Sequence, residues 1–222
     1  MEIIPAILPK NFAQIEDSVS LISGLSKIVQ IDICDGKYVQ NTTWPYLKKD
    51  ENFEKILREE IGMPEWQKIN YEFDLMIDKP NEDDARKWMS GGAERIVLHI
   101  DSSLNLNPII DVLHGLVDIG IAINLDTDLN QLDAYIERIQ YIQVMGIKKV
   151  GFQGQKFELK TVEVVKNIKN KYPDLIVQVD GGVNLESAVL LKEAGVDRLV
   201  VGSALFSSDN IVDMYNKFSG II

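Results

Sequence analysis

The 222-residue sequence is poor in the side chains that most reactive chemistry draws on, with one cysteine, Cys34, and two histidines, His99 and His114. A lone cysteine excludes an internal disulfide, and so few Cys and His cannot build a zinc cluster of those ligands. Basic residues are also scarce: 23 Lys and Arg face 34 Asp and Glu, a formal net charge of −11. Nucleic acid and anionic membrane both reward basic patches, so neither is an expected partner. No apolar run approaches the ~20 residues of a membrane span. No basic segment precedes an apolar one at Met1-Glu-Ile-Ile-Pro-Ala-Ile-Leu, so the expectation is a cytoplasmic protein without a secretory signal. Any anionic ligand must be held by a local device, against the field of the whole molecule.

What is present is a regular alternation. Eight short runs read as strands, near Ile3–Leu8, Ile28–Ile33, Ile69–Met76, Arg95–Ile100, Gly120–Leu125, Tyr141–Met145, Leu175–Asp180 and Arg198–Val201. They are apolar at consecutive positions, the mark of parallel strands buried on both faces. A helical pattern is expected after each. Over 158–172, Leu159, Val162, Val165, Ile168 and Tyr172 recur at spacings of three and four, leaving Lys160, Glu163, Lys166 and Lys169 to solvent. Asn184 is placed to cap a helix reaching Ala194, with Gly195 as its stop. Pro80 and the acids after it predict a first helical turn, in a helix ending near Gly91-Gly92. Without linkers or repeats, the expectation is one domain over 1–222, an α/β fold closed as a (β/α)8 TIM barrel. A doubly wound sheet would want its phosphate glycines after the first strand. Here the glycine turns follow the last three strands.

Those turns are Gly151-Phe-Gln-Gly154, Gly181-Gly182 and Gly202-Ser203. Glycine lets backbone N–H groups converge on an anion with no Cβ in the way, so three such turns on neighbouring strands predict a neutral phosphate cradle. In a parallel barrel all strand ends face one rim, and there Asp32, Asp74 and Asp180 are expected to meet. Buried carboxylates at close range must be protonated, hydrogen-bonded or neutralised by a cation. His99, ending the fourth strand, is expected near the pocket, whereas His114 reads as a surface residue at a helix end. Met76 and Met145 are expected to fill core or pocket wall. Lys148 and Lys149, after the sixth strand, are surface charges, phosphate contacts or a reactive amine.

In this order the segments resemble the ribulose-phosphate 3-epimerase family, a phosphate-binding (β/α)8 barrel. The resemblance runs through Pro5–Phe12, Asp32-Ile-Cys-Asp-Gly-Lys-Tyr-Val-Gln-Asn41, Asp74–Pro80 and His99. It continues through Gly151–Phe157, Val179-Asp-Gly-Gly-Val-Asn184 and Val201-Gly-Ser-Ala-Leu-Phe206. The resemblance implies an isomerase of ketopentose phosphates, in which Asp32 and Asp180 move protons at C3 from opposite faces. It also implies backbone phosphate contacts at Gly151, Gly154, Gly181, Gly182, Gly202 and Ser203, and a homo-oligomer. In that family two histidines and the same aspartates hold a divalent metal that stabilises the enediolate.

The chain departs from the family's pattern where the metal is concerned. Gln30 and Asp74 stand in place of the two ligand histidines, Ala6 and Pro9 replace serines, and Gln153 replaces a glycine of the phosphate turn. One extra residue lies between Met145 and Gly151, and Asn124–Asp128 lacks the customary proline pair. The implied ligand set, Gln30, Asp32, Asp74 and Asp180, is all oxygen, which favours magnesium, manganese or calcium over zinc. Two other readings stay open: a paralogue that binds sugar phosphate without metal or turnover, and an aldolase or synthase step using Lys148 or Lys149.

Overall fold

The computed structural model describes residues 1–48 and 50–221. Eight parallel strands close into a barrel in chain order: β1 (Glu2–Ile7), β2 (Ile28–Cys34), β3 (Asn70–Met76), β4 (Ala93–His99), β5 (Asp118–Ile123), β6 (Tyr141–Met145), β7 (Ile176–Asp180) and β8 (Arg198–Val201). Closure is made by β1 on β8, with Glu2 to Pro5 in register with Arg198 to Val201. All eight strands lie within two residues of the runs expected from the sequence.

The helices are α1 (Phe12–Ile22), α2 (Glu51–Leu57), α3 (Glu82–Ser90), α4 (Asn107–Leu113), α5 (Lys160–Lys171), α6 (Leu185–Glu193), α7 (Ser203–Phe206) and α8 (Ile211–Ile221). Asn184 caps α6 through Glu186 and Ser187, as expected. In α3 the cap is Asn81, so Pro80 stands just before the helix rather than in its first turn. His114 caps the C-terminal end of α4 and is exposed. The fifth unit departs from the expected helix. It folds as two 3₁₀ segments, Leu129–Ala134 and Ile136–Arg138. Leu129, Leu132 and Tyr135 are spaced three apart, a period that aligns apolar side chains on a 3₁₀ turn but drifts around an α-helix. No described helix is long and apolar enough to cross a membrane.

The strand period of two sorts side chains between two environments. Outward residues such as Val29, Ile31, Ile33, Phe73, Leu75, Val177 and Val179 join the main core under the helices. Inward residues form a different interior. A small apolar cluster of Ile4, Ala6, Ile28 and Val200 occupies one side. A second, of Val97, Ala122, Tyr141 and Met145, lies across the lumen, and between them polar side chains are buried: Gln30, Asp32, Glu72, Asp74, His99, Gln143, Gln178 and Arg198. Register aligns Asp32 with Asp74 across β2 and β3, and Met145 with Asp180 across β6 and β7. The barrel thus delivers its carboxylates to one end.

Candidate active site

Asp32, Asp74 and Asp180 each offer a carboxylate oxygen within 4.8 Å of the others. Three carboxylates can approach this closely only with strong compensation. Part of it comes from amides. Gln30 Nε2 donates to Asp32 Oδ1 at 2.8 Å and to Asp180 Oδ2 at 3.2 Å. Gln143 Nε2 donates to Asp74 Oδ2 at 2.9 Å, and His99 Nε2 lies 2.8 Å from Asp74 Oδ1. The His99 ring is in turn held by Tyr38, with centroids 5.1 Å apart.

These contacts do not cancel the cost of burial. Desolvation, then the charges of Asp180 and Asp74, push the pKa of Asp32 well above the ordinary carboxylate range. Asp180 is pushed up to about 8 by burial and the charge of Asp74, against hydrogen bonds from Gln30 and the Gly181 backbone. At neutral pH such a pair retains a proton. Three clustered carboxylates are also a hard-cation donor set; a divalent ion would neutralise the charge that raises these pKa values. Gln30 faces the carboxylates with its NH2, while its carbonyl oxygen lies 3.4 Å from Gln178 Nε2. To act as a metal ligand it would have to turn its amide over.

One small cavity is lined by Asp32, Asp180 and all six residues expected to hold phosphate: Gly151, Gly154, Gly181, Gly182, Gly202 and Ser203. Gly151, Gly154, Gly181 and Gly182 have positive φ, between 69° and 100°. At Gly182 a Cβ would lie 2.7 Å from the backbone N and Cα of Phe157, so glycine is what lets the loop after β6 close on the end of β7. Gln153 reaches across this cavity, donating to the Ala6 carbonyl at 3.2 Å and lying against Gly202. Met76 and Met145 form wall, as expected. The loop after β2 roofs the site: Asn41 Nδ2 donates to the Gly151 carbonyl at 2.8 Å.

The lysines fall elsewhere. Lys148 and Lys149 line a neighbouring cleft with Tyr38, Asp101, Asp126 and Lys160. Lys148 pairs with Glu158 at 3.6 Å, and Lys149 sits 4.5 Å over the Phe152 ring. Sequence reasoning missed Glu72, Gln143 and Gln178, all fully buried in the lumen. A signal was present: β2 and β7 both carry Ile-Val-Gln-x-Asp, and period-two alternation turns each glutamine to the same side as its aspartate.

Comparison with known proteins agrees with this architecture. Residues 2–206 match the model of the ribulose-phosphate 3 epimerase family. A ribulose-phosphate 3-epimerase of Chlamydia muridarum is 31% identical over 219 residues, covering 94% of this chain and 90% of its relative. One from Aquifex aeolicus is 25% identical over 224 residues, covering 98% and 95%. Among solved structures, 3-hexulose-6-phosphate synthase from Salmonella typhimurium superposes with a TM-score of 0.74 at 14% identity, over 100% of this chain and 98% of that one. That likeness speaks to the barrel alone. The sequence match spans the strands that carry all three aspartates and every glycine turn, and the chain belongs to the ribulose-phosphate 3-epimerase family.

Proposed function

We propose that this protein is a ketose-phosphate 3-epimerase, acting on a phosphorylated pentulose with Asp32 and Asp180 as its acid/base pair. The observation that carries the reading is the shared cavity: both aspartates line the same small space as the glycine turns. A phosphate seated on the N–H groups of Gly151, Gly154, Gly181, Gly182, Gly202 and Ser203 would extend the sugar toward the carboxylates.

The chemistry follows from the protons. The ionised aspartate takes the proton from C3, next to the C2 carbonyl, and the electron pair of that C–H bond passes into an enediolate. The protonated aspartate then returns a proton to C3 from the other face, inverting the centre. The two residues have exchanged protonation states, so the reverse reaction uses the same pair with roles switched. Burial and the neighbouring carboxylates raise the pKa of both aspartates above the ordinary carboxylate range, that of Asp180 to about 8, which favours holding a proton between them. A divalent cation held by Asp32, Asp74 and Asp180 would supply charge neutralisation for the developing oxyanion. The all-oxygen donors favour magnesium, manganese or calcium over zinc.

A second reading, a sugar-phosphate binding protein without turnover, is favoured by one observation. Gln30 bridges the two aspartates by hydrogen bonds, an arrangement that needs no cation. The readings part in one experiment. The protein, prepared with and without Mn2+ or Mg2+, is incubated with ribulose 5-phosphate in D2O. Deuterium entering at C3, together with xylulose 5-phosphate formation, is the expected result. Substrate binding with no exchange under any metal would leave the binding protein as the answer.

A further inference from the structure

Below the carboxylates, the barrel lumen holds an ordered run of amides that ends on a buried acid. Glu72 accepts twice: from Gln178 Nε2 at Oε1, 2.6 Å, and from the Tyr141 hydroxyl at Oε2, 2.9 Å. The same Gln178 nitrogen lies 2.8 Å from Gln143 Oε1 and 3.4 Å from Gln30 Oε1. Gln143 and Gln30 then turn their own NH2 groups up to Asp74, Asp32 and Asp180.

A primary amide has a donor end and an acceptor end, so a row of them has a direction. Here the direction is fixed from below. An acceptor at Glu72 takes one hydrogen of the Gln178 NH2 and the Gln143 carbonyl takes the other, while the Gln30 carbonyl, at 3.4 Å, is a weaker third partner that still favours the same direction. The NH2 groups of those two are left facing the aspartates. Gln178 meets this arrangement at a cost, because its own carbonyl oxygen is buried without a partner. Turning Gln178 over would relieve that orphan but set its oxygen against three acceptors. Turning all three amides would aim carbonyls at carboxylates. Neither alternative is stable while Glu72 accepts.

We propose that Glu72 is a positioning residue for the acid/base pair, holding Gln178, Gln143 and Gln30 in the one direction that presents N–H groups to Asp74, Asp32 and Asp180. Its kinetic consequence rests on the epimerase reading; the direction of the amides does not. Glu72→Gln keeps the shape of the side chain but can offer NH2 to Gln178, removing the demand. Side-chain amide NMR of 15N-labelled protein reads the direction itself. The Gln30 and Gln143 signals, slow to exchange with solvent in the wild type, should shift and exchange at least tenfold faster in the variant. In turnover, kcat should fall by about 10–100-fold, the range for loss of a supporting residue, with KM within about twofold because the phosphate cradle is untouched. Gln178→Met, which fills the same space without an amide, should reproduce both effects even where Glu72→Gln fails to fold. The double variant should lose no more kcat than either single one. Unchanged Gln30 and Gln143 signals in both variants, with only the melting temperature lowered, would overturn the proposal. A wild type with no exchange at C3 defeats the epimerase reading instead and leaves the NMR comparison to decide this one.

Discussion

Asp32 on β2 and Asp180 on β7, three strands apart around the barrel, are joined through one atom: Gln30 Nε2 donates to Asp32 at 2.8 Å and to Asp180 at 3.2 Å. A neutral donor lies between two acids. On the proposal that the three aspartates hold a cation, residue 30 is a position where a changed donor would change the preferred ion. Gln30→His places an imidazole nitrogen beside three carboxylates, and nitrogen donors favour zinc over magnesium or manganese. Competitive titration should show the zinc-to-manganese preference of the variant rising by about tenfold or more. Gln30→Leu, which removes the donor without adding a ligand, should leave that preference unchanged. Equal metal selectivity in all three proteins would mean that residue 30 lies outside the coordination sphere.

The raised carboxylate pKa values carry a prediction about stability. Burial and mutual repulsion hold Asp32 well above its unfolded value, and Asp180 at about 8. The folded state therefore keeps protons that the unfolded state releases above its own pKa of about 3.9. Stability is thus full below that value and is lost as pH rises toward 8. In chelator, the melting temperature should fall between pH 5 and 8 by a component that Asp180→Asn removes. On the proposed metal site, saturating Mn2+ would bind the ionised folded form and should raise the melting temperature most at the upper end of that range. A melting temperature that climbs with pH in chelator, and that Asp180→Asn leaves unaltered, would contradict the electrostatics derived above.

Most of this architecture is legible in the sequence because the signals are local. Short β-branched runs such as Lys27-Ile-Val-Gln-Ile-Asp32 give strands, and Asn184 gives a cap. The parallel barrel then carries local signals to one rim, which is why Asp32, Asp74 and Asp180 were expected together. What the sequence hides is pairing at long range. Gln143 and Glu72 are 71 positions apart in the chain and both lie within 2.8 Å of Gln178, a fact that follows from closure of the sheet and not from any motif. The fifth helix failed for a different reason. A helix was expected there from the strand–helix alternation alone, whereas Leu129, Leu132 and Tyr135 are spaced three apart, which favours a 3₁₀ path.

The glycines of the proposed phosphate cradle differ in what they must do, and the difference is measurable. Gly154 has φ +74° but open space where a Cβ would lie. Against the rest of the protein, Gly154→Ala should therefore cost only the conformational penalty of about 1–2 kcal/mol. Gly182 has φ +69° and also meets the backbone N and Cα of Phe157 at 2.7 Å from the ideal Cβ position. Backbone cannot rotate away as a side chain does, so Gly182→Ala must push the loop after β6 off the end of β7. That loop carries Gly151 and Gly154, two of the residues lining the cavity beside Asp32 and Asp180. The expected outcome is a melting temperature below that of Gly154→Ala and a rise in KM of about tenfold or more, the factor for each ~1.4 kcal/mol of lost binding. Binding of inorganic phosphate by calorimetry separates this from loss of chemistry, because it should weaken in parallel while deuterium exchange at saturating substrate persists. If Gly182→Ala and Gly154→Ala bind phosphate equally well, the close approach of β7 to the loop is not what builds the seat.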